Sequence, residues 1–597
     1  MTEFRFSPRP NRAGEIRWRE WGDAAFREAA LVRRPILLGI SAVWCHWCHV
    51  MDETTYSDPQ VIELINTRYV PIRVDNDKRP DVNRRYNMGG WPSTAFLTPE
   101  GEIIAGGTYL PPEAMRQYLQ QVDMVYRDRR GEIDQRVAEL RLREAQARAA
   151  QTGPLSWRVV DEIVLSTTRA FDPEFGGFGR DPKFPQPQVL RLILDEYRGR
   201  GDGSHAVMLH KTLSAMASGG MYDHVAGGFF RYATQRDWSV PHYEKMLEDN
   251  SELLALYAEA HRTFPSAGYD RVAADVSRWM REVLLRADTH LFGGSQDADE
   301  HYYALDAAAR AAHSAPYVDP IAYTNWNALA ASGHLALTRA TGSAEALSAA
   351  ATTLGAVRGR LWDEAAGTYH FDAGDGPRLP MLLTDLAALL TAQLDLYEAG
   401  GGASALAFAG RVADRLVSLE DPEQGGFADA PARDEPGRAA RPDRPIEDNG
   451  QAAEALLRLA TLTGEERWRE LAIRALRSFA GGYADWGQFA APYARAVARA
   501  LAEPLHVVVT GATADAQAAV LWQEALACDD PARVIERLDP AHDASRLEQL
   551  GYATFGAAAY VCVGTVCSTP ITDVAALRSE LARARARYGV AARQDRS

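Results

Sequence analysis

Lysine is nearly missing from this chain of 597 residues. Of its 65 basic residues only Lys78, Lys183, Lys211 and Lys245 are lysine; all the others are arginine. Cysteine is scarce as well. Five cysteines cannot form a disulfide framework in a chain of this length. A compartment that keeps thiols reduced, the cytoplasm, is therefore expected. There is no basic tract and the formal net charge is −15, which argues against a surface that tracks phosphate backbones. No nucleic-acid partner is expected. No apolar run approaches the ~20 residues of a helical membrane span. The opening MTEFRFSPRPNRAGE lacks the apolar segment of a secretory signal. No membrane partner is expected either. What remains is core: hydrophobic residues make up 46% and charged residues 24%, the mixture of a globular protein.

Residues 35–44, PILLGISAVW, form a short apolar run suited to a buried strand. The run ends at Trp44-Cys45-His46-Trp47-Cys48-His49. A helical rhythm follows at Val61, Leu64, Ile65 and Tyr69, then strands at Val70–Val74, at Phe96–Thr98 and around Ile103-Ile104. This order puts a dithiol at a helix N-terminus, where the helix dipole stabilises a thiolate. Cys45 is expected to be the exposed nucleophile with a lowered pKa and Cys48 the resolving thiol. The Trp91-Pro92 bond is expected to be cis and to face the dithiol. Other readings of the motif stay open: Cys-x-x-Cys-His also spells a c-type haem attachment, a zinc site or a buried structural pair. No residue pattern calls for a cofactor or a metal.

From about residue 155 the texture becomes helical. Leu253, Leu254, Tyr257 and Ala258 share one helix face, and Leu386, Leu389, Leu390 and Tyr397 share another. Six Gly-bearing loops punctuate the helices. They are Gly176-Gly177-Phe178, Gly227-Gly228-Phe229, Gly293-Gly294-Ser295, Gly367-Thr368-Tyr369, Gly425-Gly426-Phe427 and Gly481-Gly482-Tyr483. Their spacing of 51 to 74 residues leaves room for two helices each, which implies six hairpins closed into an (α/α)6 toroid. Glu248-Asp249-Asn250, Asn325-Trp326-Asn327, Thr384-Asp385 and Glu447-Asp448-Asn449 then open inner helices at one end of the barrel. N-capping alone would favour such residues.

Ionisable and aromatic residues are densest at 219–250: Asp223, His224, Arg231, Tyr232, Asp237, Trp238, His242, Glu244, Lys245 and Asp249. Two of the rare lysines, Lys183 and Lys245, fall in such loops, as if a compact ammonium were required. His242 and Glu244 are the candidates for acid–base work. Pro92, Lys183, Asp223, His224, Trp238, Lys245, Asp249, Asp297, Trp326, Asn327 and Asp448 are the candidates for substrate contact. A hydrogen-bonded network that merely orders the loops is the competing reading. From Leu505 onward a small α/β segment is expected, with strands at His506–Gly511, Arg533–Ile535 and Ala559–Val563 and a closing helix. Cys562 and Cys567 there read as buried thiols or, less simply, as a second redox or metal pair.

The motifs WCHWCHVM, VPIRVDNDKRPDVNRRY, GGWPSTAFLTPEG and GGTYLPP resemble the thioredoxin-like domain of the spermatogenesis-associated protein 20 family. DPKFP, GGMYDHVAGGFFRY, VPHYEKMLEDN, GGSQDADE and TNWNALAASGHLAL extend the resemblance over nearly the whole chain. The sequence departs from the family at Glu53-Thr54-Thr55-Tyr56 and is shorter between Tyr86 and Gly89. The resemblance implies a thioredoxin-like domain at 1–150, a six-hairpin glycosidase-like (α/α)6 barrel at 151–503 and a small α/β segment at 504–597. It leaves three functions in view. The first is a thiol–disulfide oxidoreductase with a thiol or disulfide protein partner and a barrel that binds a small sugar. The second is a sugar epimerase or glycosidase under redox control. The third is a non-catalytic binding protein.

Overall fold

A computed structural model describes residues 5–149, 152–433, 435–552 and 556–588. The apolar run at 35–44 becomes the strand Ile36–Ser41, buried along its whole length. It lies inside a four-stranded sheet ordered Val70–Asp75, Ile36–Ser41, Ser93–Leu97, Ile103–Gly107. The first pair is parallel and the others are antiparallel. A parallel pair needs a crossover, supplied here by the helices His46–Glu53 and Pro59–Arg68. Both faces of the sheet are covered. Leu37 and Phe96 pack with Met51, Val61, Ile65 and Leu119 on one side. Ile36, Leu38 and Ile40 pack with Phe26, Val82 and Tyr86 on the other. The domain is thioredoxin-like.

The helical body closes on itself. The inner helices are Pro187–Arg200, Leu247–Thr263, Thr324–Thr341, Leu383–Glu398, Ile446–Thr463 and Ala491–Leu501. Each packs on the next, and the last packs on the first. The outer helices are Trp157–Ala170, Gly203–Ser218, Tyr269–Trp279, Ala344–Arg360, Ala403–Val417 and Glu466–Arg477. Inner helices are buried nearly all round, as Leu383–Glu398 is, whereas Glu466–Arg477 buries one stripe: Trp468, Leu471, Ala472, Ala475 and Leu476. Each Gly loop leads from an outer helix to the following inner one, so these loops gather at the end where the inner helices begin.

Four of the six loops share one internal chemistry. Asp172, Asp223, Asp363 and Asp421 each accept two backbone N–H bonds from the residues two and three positions on. Gly177 follows at φ +72°, and a Cβ there would lie 2.5 Å from the Trp238 ring; only glycine fits. Asn250, Asn327 and Asn449, in the first turns of three inner helices, clamp these loops. Each accepts from the N–H and donates to the C=O of one loop phenylalanine, Phe229, Phe292 or Phe427.

This chemistry corrects several expectations. Lys183 and Lys245 are fully buried ties. Lys183 Nζ donates to Asp172 and to the carbonyls of Gly176 and Gly179. Lys245 Nζ donates to Asp223 and to the carbonyl of Gly227. The compact ammonium does the same work in two consecutive repeats, fastening a loop aspartate to its own turn. Asp223 is closed off further by Arg310. Trp238 is buried with its indole N–H on the Phe175 carbonyl. Trp326 is buried against Tyr323, so neither ring is a free stacking face.

The C-terminal segment holds more than the expected appendage. Its sheet is ordered Arg533–Leu538, Leu505–Thr510, Ala558–Val563, Val566–Cys567, with the first pair parallel and the rest antiparallel. Helices Ala516–Leu526, Ala544–Leu550 and Val574–Tyr588 fall between and after these strands. This is the strand order and direction of the N-terminal sheet, repeated. Cys562 and Cys567 are not buried thiols: they form a disulfide, and Cys567 is exposed. They face each other across the final hairpin, which brings the two sulfurs together.

Candidate functional site

Cys45 occupies the N-cap of the helix His46–Glu53, and its sulfur accepts the Cys48 N–H at 3.2 Å. Cys45 and Cys48 are joined as a disulfide. The Trp91–Pro92 bond is cis, and Ser93, next in line, pairs with Ile40 on the strand that leads into the motif. Trp91 meets Trp44 edge to face. One expectation fails. Cys45 is not exposed: it is 4% accessible and Cys48 2%. The reason is the barrel, whose core is continuous with Ala42, Trp44, Cys45 and Cys48. Trp47 is the open residue of the motif, at 43%.

His242 and Glu244 lie on this junction. Glu244 Oε1 accepts the His46 backbone N–H at 3.3 Å, so a barrel carboxylate caps the dithiol helix. Burial pushes the Glu244 carboxyl up, but His242 and Arg231 outweigh it and hold the group below its usual range. His242 Nδ1 is 3.7 Å from Glu244 Oε2. The Arg231 guanidinium lies 4.4 Å over the Trp44 ring. These groups therefore neighbour the disulfide. They do not line the barrel cavity, which corrects the expectation that they act on a barrel ligand. Asp249, nearby in charge to Arg231 and Glu244, is pushed up to about 7, mainly by burial.

The thioredoxin-like domain is tied across the barrel mouth by further charges. Arg84 reaches Asp448 at 3.0 Å. Arg85 grips both oxygens of Asp429 at 2.6 and 3.0 Å. Arg5 meets Asp297 at 3.1 Å. Trp44 donates to Asp77, whose carboxyl rises to about 8 through burial and the adjacent Asp75. His370 links the Asp77 carbonyl to the Asp385 carboxylate, which accepts the Asn325 N–H. A polar path thus runs from the residue before Cys45 to the start of an inner helix.

The barrel holds a cavity of about 250 Å³, to which all six inner helices contribute. That is near the ~300 Å³ lower end of small-molecule sites. Glu248, Glu252, Glu447, Asp448, Asn325 and Thr384 line it, with Gln188 and the exposed Phe489. The unclaimed polar atoms are acceptors: the Asn325 and Gln188 side-chain oxygens have no partner, and Gln188 spends its N–H on Glu252. Burial and the neighbouring Asp448 push Glu447 up to about 7. Burial, then Asp249 and Glu252, also raise Glu248, well above its usual range.

Of the predicted contact residues only Asp448 lines the cavity. Asn327 clamps a loop, and His224 is exposed with its ring on the Gly219 carbonyl. Asp297 shares the barrel end of His242 through a short sheet, Lys245 against Gln296, but pairs with Arg5 instead of reaching the cavity. Glu248 and Glu447 stood in the repeated Glu-Asp-Asn motif and were legible as helix starts. Glu252, one helical turn after Glu248, stands outside that motif. Arg84, Asp77 and His370 carried none. Among the described residues no group of three or more His, Cys, Asp or Glu is placed to hold a metal ion. No helix among them is long and apolar enough to cross a membrane.

The chain thus joins a thioredoxin-like domain to an (α/α)6 barrel. Residues 9–143 match the family model Thioredox_DsbH, described as "Protein of unknown function, DUF255". The human spermatogenesis-associated protein 20 is 26% identical along 95% of this chain and 90% of its own length. An uncharacterized Caenorhabditis elegans protein is 34% identical, over 48% of this chain and 41% of its own length. The resemblance read from the motifs holds along nearly the whole chain. Among solved structures, a D-mannose isomerase aligns at 10% identity and TM-score 0.46, covering 56% of this chain and 95% of that one. A cellobiose 2-epimerase from Spirochaeta thermophila aligns at 15% and 0.45, covering 53% and 81%. The closed ring of inner helices, not these distant likenesses, defines the barrel.

Proposed function

We propose that the chain is a thiol–disulfide oxidoreductase whose dithiol works at the junction of the thioredoxin-like domain and the barrel. The carrying observation is Cys45 at a helix N-cap with its sulfur already accepting the Cys48 N–H. That geometry stabilises a Cys45 thiolate. In the reduced protein Cys45 attacks a substrate disulfide, forming a mixed disulfide and releasing one substrate thiolate. Cys48 then attacks the Cys45 sulfur, releases the second thiolate and leaves the Cys45–Cys48 disulfide. Two electrons pass to the substrate, and an external dithiol resets the pair. The buried pair favours a narrow, extended substrate segment, admitted beside Trp47, over a broad protein surface. Reduction of insulin disulfides tests this: wild type turns over and Cys45→Ser does not. Equal rates for the two would overturn it.

A second reading is favoured by the cavity. Its unclaimed acceptors and carboxylates suit a small hydroxylated ligand such as a sugar, with Glu447 near neutrality able to give or take a proton. A screen of reducing sugars for epimerised or hydrolysed product, repeated with Glu447→Gln, tests it. No product from any sugar leaves the cavity without a catalytic role.

A further inference from the structure

We propose that Cys562–Cys567 is a second thiol-exchange site, open to solvent and independent of the first. The C-terminal sheet repeats the strand order of the thioredoxin-like domain, yet the turn after its first strand, Gly511-Ala512-Thr513-Ala514, has no cysteine. The cysteines sit on the last hairpin instead. The two sulfurs have unequal surroundings. Cys562 is buried, 4% accessible, while Cys567 is exposed beside the equally open Gly564, Thr565 and Val566. The Tyr552 hydroxyl lies 3.0 Å from the Cys562 sulfur and 3.8 Å from that of Cys567. In the disulfide neither sulfur carries a hydrogen, so Tyr552 is the donor. Stacking on Tyr560 at 4.1 Å fixes the phenol in place.

Access to the attacked sulfur and stabilisation of the departing thiolate both speed disulfide exchange; exposed Cys567 offers the first and the Tyr552 hydroxyl on Cys562 the second. A structural staple explains the arrangement less well. The bond joins residues five apart that already face each other in a paired hairpin, and short loops are where a cross-link stabilises least.

The substrate class is an external thiol. Its thiolate attacks the Cys567 sulfur, the Cys562–Cys567 bond breaks, and Cys562 leaves as a thiolate held by Tyr552. Cys562 then takes up the proton the external thiol lost. A second thiol attacks the external sulfur of the mixed disulfide, releases the oxidised external disulfide and frees Cys567. Two thiols are oxidised and one disulfide is reduced.

The test uses the full chain carrying Cys45→Ser and Cys48→Ser, so that the fate of the first dithiol does not enter. The protein is exposed to reduced glutathione in one arm and to reduced thioredoxin in the other. Peptide mapping follows the 562–567 pair under native conditions. Reduction in either arm, with any mixed disulfide on Cys567 and at least tenfold less on Cys562, is the expected result. The faster arm tells a small thiol from a protein dithiol as the source. Tyr552→Phe should slow the exchange several-fold with an unchanged melting temperature. A pair that stays oxidised until the protein unfolds, or that exchanges equally at both sulfurs, overturns the proposal.

Discussion

Replacing Lys183 with Met removes an ammonium and keeps an apolar stem. In the native protein Nζ donates to Asp172 Oδ2 at 2.9 Å and to the Gly176 and Gly179 carbonyls at 2.8 Å each. Lys183 is fully buried and Asp172 nearly so. Breaking a buried ion pair by removing one partner costs about 3–5 kcal/mol, because the other charge stays behind. Arg236 also reaches both Asp172 oxygens, at 2.7 and 2.9 Å. The carboxylate therefore keeps a counter-charge, and the lower end, about 3 kcal/mol, applies. For a body of this size that lowers the melting temperature by roughly 5 °C. Thermal unfolding of Lys183→Met, Asp172→Asn and the double variant measures it. The double variant should be milder than the two single losses summed, by about 1 kcal/mol or more. A Lys183→Met protein that melts like wild type but binds a small ligand more weakly would refute the loop-tie reasoning and return Lys183 to recognition.

Asn449→Ala loses both bonds to Phe427 and should cost about 1–3 kcal/mol in urea unfolding; a loss under ~0.5 kcal/mol would sink the clamp. His334 is fully buried, and burial lowers it to about 4. The unfolded imidazole takes its proton near 6.5, so stability present above that pH is lost as pH falls towards 4, by up to about 3 kcal/mol. His334→Gln should flatten this slope between pH 7 and 5, and an unchanged slope would contradict it. Glu244→Gln removes a negative charge beside the dithiol helix and should lower the Cys45 thiol pKa by about one unit. Alkylation of reduced protein against pH reads this out, and coincident profiles would show that Glu244 does not act on the thiol.

The architecture was legible because its signals are periodic. The Gly loops recur once per hairpin, and the apolar residues of 253–258 and 386–397 keep one face. The strand–dithiol–helix order marked the first domain for the same reason. The site was legible only where it followed a repeat: Asp448 and Glu447 stand at a helix start that the Glu-Asp-Asn motif announces. What no pattern revealed was how the domains dock. Arg84 and Arg85 look like any surface arginines until Asp448 and Asp429 are seen across the junction. Docking also explains two of the misplaced expectations. Cys45 is buried against the barrel core; Glu244, 198 residues beyond His46, accepts the His46 N–H, so His242 and Glu244 belong to that junction instead of to the cavity. Lys183 and Lys245 were rightly singled out as unusual, but rarity reports a geometric need and not its purpose. The C-terminal sheet was missed as a repeat because its order emerges only from pairing, and its turn lacks the cysteines that marked the first.

The most direct test of the central claim is to trap the intermediate. Full-length Cys48→Ser protein, reduced and then mixed with a disulfide-bonded peptide, should retain one peptide through a mixed disulfide on Cys45, found by mass spectrometry and released by dithiothreitol. The Cys45→Ser counterpart should retain none at Cys48. No adduct on Cys45, or an equal adduct on Cys48 when Cys45 is absent, would contradict the assignment of Cys45 as the nucleophile of a working dithiol.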